Sequence, residues 1–355
     1  MKQHLTSEAI ERLLAWYDSQ KRDLPWRHTS DPYRIWLSEI MLQQTRVEAV
    51  KPYYARFLET CPDIASLAEL SEERLYKLWE GLGYYSRVRN LQKAARTVME
   101  QYGGSMPRTY EKLRKLSGIG DYTAGAIASI AYGERVPAID GNVLRVLARL
   151  CALREDIADP KTKAAWRERL APLVPERAGD FTQAMIELGA TVCVPNGEPK
   201  CRECPLKNFC DATKQGLTDE IPVRSAKKPR RIEDRTVLIV CDENRIALGK
   251  RPPKGLLAGL FEFPNVTGHL SESEALQYLR SFGFDPVRIE RIEDSKHIFT
   301  HVEWRMIAYR VRITPEFDGQ NGKSGLSLID IDDVRKNYAI PSAFSAYTRY
   351  LSIKP

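Results

Sequence analysis

An all-α domain over residues 1–220, followed by an α+β domain over 236–355, is the architecture this sequence predicts, and three observations predict it. At 355 residues the chain is long for one domain. From Glu8 to about Gln215 apolar residues recur at helical spacing, and beyond Thr236 they gather into short strand-like runs. Between the two, Ile221 to Arg235 carries Pro222, Pro229 and six basic residues (Arg224, Lys227, Lys228, Arg230, Arg231, Arg235) with little apolar content, which is the composition of a linker over 221–235.

Taken in order, the first informative element starts at Asp31-Pro32, an N-cap followed by a proline suited to the first helical position, and the pattern runs on to Arg46. On this helix Ile35, Glu39, Leu42 and Arg46 share one face with Trp36 adjacent, so Glu39 falls inside an apolar stripe. Burial would raise its pKa and make it a proton donor near neutrality; the alternative is a structural glutamate paired with an arginine. Leu116-Ser-Gly118-Ile119-Gly120-Asp121-Tyr122 reads as a helix end, a glycine-bracketed turn and a new helix start, a geometry that lets backbone N–H groups approach a phosphate. Asp140 opens the helix Gly141 to Arg149 as an N-cap, a position that keeps a carboxylate ionised and that most often means capping alone.

Four of the seven cysteines, Cys193, Cys201, Cys204 and Cys210, lie within eighteen residues with gaps of seven, two and five. Structural zinc usually takes two close pairs, whereas one Cys-x2-Cys with outlying thiolates suits a 4Fe-4S cluster; zinc and unligated thiols are the alternatives. In the second half, Thr236 to Cys241 and Arg245 to Lys250 flank Asp242-Glu-Asn244 as paired strands, Ser271 to Phe282 reads as a helix and Trp304 to Ile313 as a further strand.

Composition bounds the function. With 43% apolar residues the chain is neither disordered nor a small disulfide scaffold. A formal charge of +7 permits nucleic acid without requiring it. No apolar run approaches the ~20 residues of a membrane span, and Met1 to Leu5 lacks a secretory pattern, so a soluble cytoplasmic protein is expected.

Leu24-Pro-Trp-Arg27, Trp36-Leu-Ser-Glu-Ile-Met-Leu-Gln-Gln-Thr45, Glu80-Gly-Leu-Gly-Tyr-Tyr-Ser86, Gly118-Ile-Gly-Asp-Tyr-Thr123 and Asp140-Gly-Asn142, with the cysteine loop, resemble the helix-hairpin-helix DNA glycosylases of the endonuclease III superfamily, and within it the adenine-specific MutY type. The resemblance covers nearly the whole chain and implies a helix-hairpin-helix glycosylase domain with an iron-sulfur loop, then a Nudix-like module that senses 8-oxoguanine. It implies a monomeric, nucleoid-associated enzyme acting on double-stranded DNA that carries adenine opposite 8-oxoguanine or guanine. Two readings from other classes compete: a pyrimidine glycosylase with lyase activity, and an iron-sulfur DNA-binding protein without catalysis. Lyase-competent relatives carry a lysine where this chain has Tyr122, and a phenol cannot form their Schiff base.

The same resemblance implies the site. Glu39 protonates the flipped adenine and Asp140 steadies the sugar cation, with Tyr122 and Asn142 as orienting groups. Arg22, Trp26, Arg27 and Gln183 surround the base, while Gln44 and Tyr84 wedge into the duplex with Leu42 nearby. Gly118 and Gly120 meet the backbone phosphate. Phe299-Thr300-His301 matches the Phe-Ser-His loop that touches 8-oxoguanine, with Thr300 keeping the hydroxyl. Gly255 to Pro264 starts like a Nudix hydrolase, yet Ser271 to Leu279 lacks the acidic helix that would hold magnesium, so nucleotide hydrolysis is not expected. The seven-residue first cysteine gap exceeds the family's usual six.

Overall fold

The computed structural model describes Met1 and residues 3–225, 229–314 and 325–351. The chain forms two compact units: Met1–Glu69 with Arg89–Ala226, and Leu70–Val88 with Lys227–Pro355.

Helices α1 (Ser7–Gln20), α2 (Pro32–Leu42), α3 (Val47–Thr60), α4 (Ile64–Glu69), α5 (Glu72–Trp79), α6 (Ser86–Tyr102), α7 (Tyr110–Leu113), α8 (Asp121–Tyr132), α9 (Gly141–Leu150), α10 (Pro160–Leu170), α11 (Ala178–Thr191) and α12 (Asp211–Gln215) make the N-terminal half all-helical, as the periodicity predicts. Their boundaries follow local chemistry. Asp31 caps α2 by accepting from the Tyr33 amide, and Pro32 fills its first position. The helix stops at Leu42, not at Arg46 as expected. Gln43 leaves helical geometry and Gln44 turns into left-handed backbone at φ 57°, so Arg46 instead caps the start of α3.

One apolar core holds the first unit together: Leu13 and Tyr17 of α1, Leu147 of α9, Trp166 of α10, and Phe181 and Leu188 of α11 are all fully buried. Such side chains contribute ~1.5–3 kcal/mol each on burial. The cores of α9 and α11 approach closely because residue 189 is glycine; a Cβ there would lie 2.6 Å from Cβ of Asn142.

The second half is built on one sheet of β1 (Arg231–Cys241), β2 (Arg245–Lys250), β3 (Phe261–Glu262), β4 (Asn265–Thr267), β5 (Pro286–Ile298), β6 (Val302–Ile313) and β7 (Leu326–Asp330). The central path is β3-β2-β1-β6-β5, with β1 and β6 parallel. Helix α13 (Glu272–Ser281), closed by a Ser271/Glu274 capping box, covers one face, and α14 (Ile331–Asn337) with the 3-10 segment Ser342–Leu351 covers the other. Val237, Ile239 and Cys241 enter one core while Leu238 and Val240 enter the other, which is why this strand reads as an unbroken apolar run.

The predicted linker is shorter than 221–235. Arg231 to Arg235 already belong to β1, where Arg235 is neutralised by Glu233 at 3.1 Å and lies 4.2 Å over the ring of Trp304. Lys227 and Lys228 lie outside the described residues. The reassignment of Leu70–Val88 to the second unit is a further departure from the sequence boundaries. Among the described residues no helix is long and apolar enough to cross a membrane.

Candidate active site

Helix α2 delivers Glu39 into the interior, where only 8% of the residue is exposed. Its Oε2 accepts a 2.6 Å hydrogen bond from the Tyr122 phenol at the start of α8. Burial pushes the Glu39 carboxyl up to about 7; the Tyr122 hydrogen bond opposes the shift, the Asp140 charge adds to it and the Arg27 charge opposes it. Burial also drives the Tyr122 phenol well above its usual range, so it remains a neutral donor.

Asp140 caps α9 as expected, with Oδ1 accepting from the amides of Asn142 and Val143 at 2.8 Å each, and Oδ2 accepting from Nδ2 of Asn142 at 2.7 Å. Burial raises the carboxyl, and these hydrogen bonds together with the Arg145 charge pull it back only in part. Of the two interacting carboxyls, Glu39 is the one that keeps a proton, because it accepts a single phenol hydrogen bond while Asp140 accepts three at a helix N-terminus.

Arg22 and Arg27 both spend their guanidinium groups on Glu187 of α11, at 2.7 Å each. Glu187 is fully buried and its carboxyl is held down to about 2: burial pushes it up, and the two arginines overcome that. Sequence reasoning did not identify this residue. Gln183 sits one turn earlier on the same helix, half-buried. Trp26 is buried with its ring 5.5 Å from that of Tyr54.

The two wedge candidates share an unusual backbone. Gln44 (φ 57°) and Tyr84 (φ 47°) are exposed and both left-handed, a conformation costly for side chains other than glycine. Leu42 beside Gln44 is half-buried. Tyr84 follows Gly81 and Gly83, and its phenol lies 3.5 Å from the Thr300 hydroxyl. Thr300 and His301 are exposed at the β5–β6 turn, and Phe299 packs edge-on against Trp304 with ring centroids 4.9 Å apart. In the hairpin, Gly118 has φ 76° and a Cβ there would lie 2.6 Å from Cβ of Asn90, so the turn admits only glycine; at Gly120 a Cβ would meet open space.

Cys193, Cys201, Cys204 and Cys210 line one cavity whose remaining walls include Leu150, Leu188 and Leu206. Among the described residues, no group of three or more His, Cys, Asp or Glu could hold a metal ion. Donors nevertheless reach the sulfurs: Arg149 Nη1 lies 3.4 Å from Sγ of Cys193, and Thr213 Oγ1 lies 3.7 Å from Sγ of Cys201. Arg145, also unforeseen from sequence, donates to the Cys193 carbonyl at 2.7 Å and to Oδ1 of Asn142 at 2.9 Å, so α9 joins the cysteine loop to the Asp140 cap.

A glycine hairpin opening a helix, a buried carboxylic acid and a capping aspartate define the class. Residues 37–172 match the HhH-GPD superfamily of base excision DNA repair proteins, and residues 235–349 match a NUDIX domain. The chain is 38% identical to the adenine DNA glycosylase of Mus musculus over 87% of its own length and 73% of that protein's. It is 33% identical to that of Buchnera aphidicola over 91% of both chains. A thermostable thymine-DNA glycosylase structure superposes with a TM-score of 0.52 at 28% identity, covering 58% of this chain and 95% of that one. An endonuclease III in a DNA complex shares the fold at 24% identity, with a TM-score of 0.50 over 59% of this chain and 94% of that one. The chain belongs to the adenine DNA glycosylase family, DNA N-glycosidases of base excision repair.

Proposed function

We infer that this enzyme removes adenine paired with 8-oxoguanine or guanine by hydrolysing the N-glycosidic bond without cutting the strand. The observation that carries this reading is the buried Glu39, raised to about 7, with Asp140 beside it accepting three hydrogen bonds at a helix N-terminus. Adenine must leave the stack to be reached. Glu39 then gives its proton to the exposed ring nitrogen of the purine, and the Tyr122 phenol orients its carboxyl. The C1′–N bond breaks, and the Asp140 carboxylate, fixed by Asn142, faces the oxocarbenium-like sugar until water adds. Since Tyr122 has no amine, no Schiff base forms and the product is an intact strand with an abasic site. Tyr84, Gln44 and the Phe299-Thr300-His301 turn read the opposite base.

The four thiols lining one largely apolar cavity, with donors aimed at sulfur, fit a 4Fe-4S cluster held by Cys193, Cys201, Cys204 and Cys210. When bound, such a group cross-links the loop. Iron and sulfide analysis of purified protein checks this reading, which stoichiometric zinc would reject.

The decisive experiment incubates the protein with a duplex holding adenine opposite 8-oxoguanine and splits the sample with and without hot alkali. Strand breaks only after alkali support the reading. Nicking without alkali would restore the lyase alternative, and an intact adenine would refute the substrate.

A further inference from the structure

Outside the acid pair, the end of α5 and the residue that follows it have an arrangement that the glycosylase chemistry does not require. Lys77 and Glu80 form an i,i+3 pair at 2.7 Å. Such a surface pair contributes little to stability by itself. Here both members also take backbone groups of one distant stretch. Lys77 Nζ donates to the Tyr338 carbonyl at 3.1 Å, and Glu80 Oε1 accepts from the Ile340 amide at 2.8 Å. The two backbone groups lie two residues apart, so the pair fixes position and direction together.

Each end of this clamp leads to a residue placed above at the opposite base. On one side Glu80 is followed by Gly81 to Tyr84, where the Trp79 indole donates to the Gly83 carbonyl at 3.0 Å and the Arg87 guanidinium donates to the carbonyls of Leu82 and Gly83 at 3.0 and 3.1 Å. That bonding leaves the turn little freedom and presents Tyr84 47% exposed. On the other side Ile340 enters the same core as Phe344 and Trp304, and Phe299 packs on Trp304 at the turn that carries Thr300. The circuit closes where the Tyr84 phenol meets the Thr300 hydroxyl.

We propose that the Lys77–Glu80 clamp on the backbone of Tyr338 and Ile340 preassembles Tyr84 and Thr300 into one reader of the base opposite adenine, making Lys77 and Glu80 positioning residues for partner discrimination. This inference rests on the reading of Tyr84 and Thr300 given above. Preassembly matters because two side chains fixed relative to each other pay their ordering cost once, before DNA arrives. Without the clamp, 8-oxoguanine gains less from the pair, while guanine, which depends less on the reader, is processed as before.

The test is single-turnover adenine release opposite 8-oxoguanine and opposite guanine by full-length Glu80→Ala, Glu80→Gln, Lys77→Met and Thr300→Ala proteins. Glu80→Ala should lower the 8-oxoguanine to guanine rate ratio by about three- to tenfold, the size of an indirect coupling effect, with the guanine rate unchanged. Glu80→Gln, which keeps an acceptor for the Ile340 amide, should recover most of the ratio. Lys77→Met, which keeps the aliphatic stem, supplies the same measurement if Glu80→Ala does not fold. An unchanged ratio in Glu80→Ala and Lys77→Met alongside a reduced ratio in Thr300→Ala overturns the clamp and leaves the reader. Unchanged ratios in all of them overturn the reader and the clamp together. Equal losses on both substrates reduce the pair to a structural role and also overturn the proposal.

Discussion

Glu39 and Glu187 are two glutamates of the same helical unit, both buried, and they titrate in opposite directions: one is raised to about 7, the other lowered to about 2. Burial alone would raise both. The difference lies in the partners, a single neutral phenol for Glu39 against two guanidinium groups for Glu187. A buried carboxyl is thus made an acid by withholding cations, and made an anchor by supplying them. In this arrangement Arg27 is shared: it ion-pairs with Glu187 and its charge still reaches Glu39, which limits how far the acid is raised.

The contrast can be broken at either end. The largest effect is expected from Glu39→Gln, which should slow single-turnover base release by about 10³-fold, in the range of a lost general acid, while DNA binding stays near wild type; release within tenfold of wild type would remove Glu39 from the acid role. Asp140→Asn should cost about 10²- to 10³-fold, as for a lost electrostatic stabiliser, measured in the same assay. Glu187→Ala should destabilise the fold by about 3 kcal/mol in denaturant titration, because it leaves buried arginine charge unpaired. The pH profile sharpens the comparison. Base release should fall as pH rises through about 7, when Glu39 loses its proton, and this limb should vanish in Glu39→Gln. The stabilities move oppositely. Between its ordinary 4.5 and about 7 the folded chain holds the Glu39 proton that the unfolded chain has lost, so this term weakens as pH rises. The Glu187 term is complete above 4.5 and is lost as pH falls toward 2. The smallest effect is expected from Thr300→Ala, a few-fold drop in preference for 8-oxoguanine over guanine, as befits one hydrogen bond.

Much of this site was legible because its signals are local. Asp31-Pro32 sets the register that buries Glu39, Asp140 caps the helix it precedes, and the hairpin glycines and four cysteines lie close in sequence. What escaped depends on contacts distant along the chain. Glu187 meets Arg22 and Arg27 across 165 and 160 residues, so nothing near either arginine announces that it is already paired. The end of α2 is not visible in the sequence pattern because helical spacing continues to Arg46 while the backbone turns at Gln44. β5 escaped because this edge strand is mostly exposed and follows no clean alternation. The attachment of Leu70–Val88 to the second unit is a tertiary fact that a linear boundary cannot express.

The left-handed backbone at Gln44 and Tyr84 bears on how this enzyme could be improved. Glycine at either position would relax the main chain and make the protein tougher to heat, yet it would erase an exposed side chain proposed to read the base opposite adenine. A breeding scheme rewarding thermal endurance alone would therefore reach for these two codons first and return a sturdier, blinder enzyme.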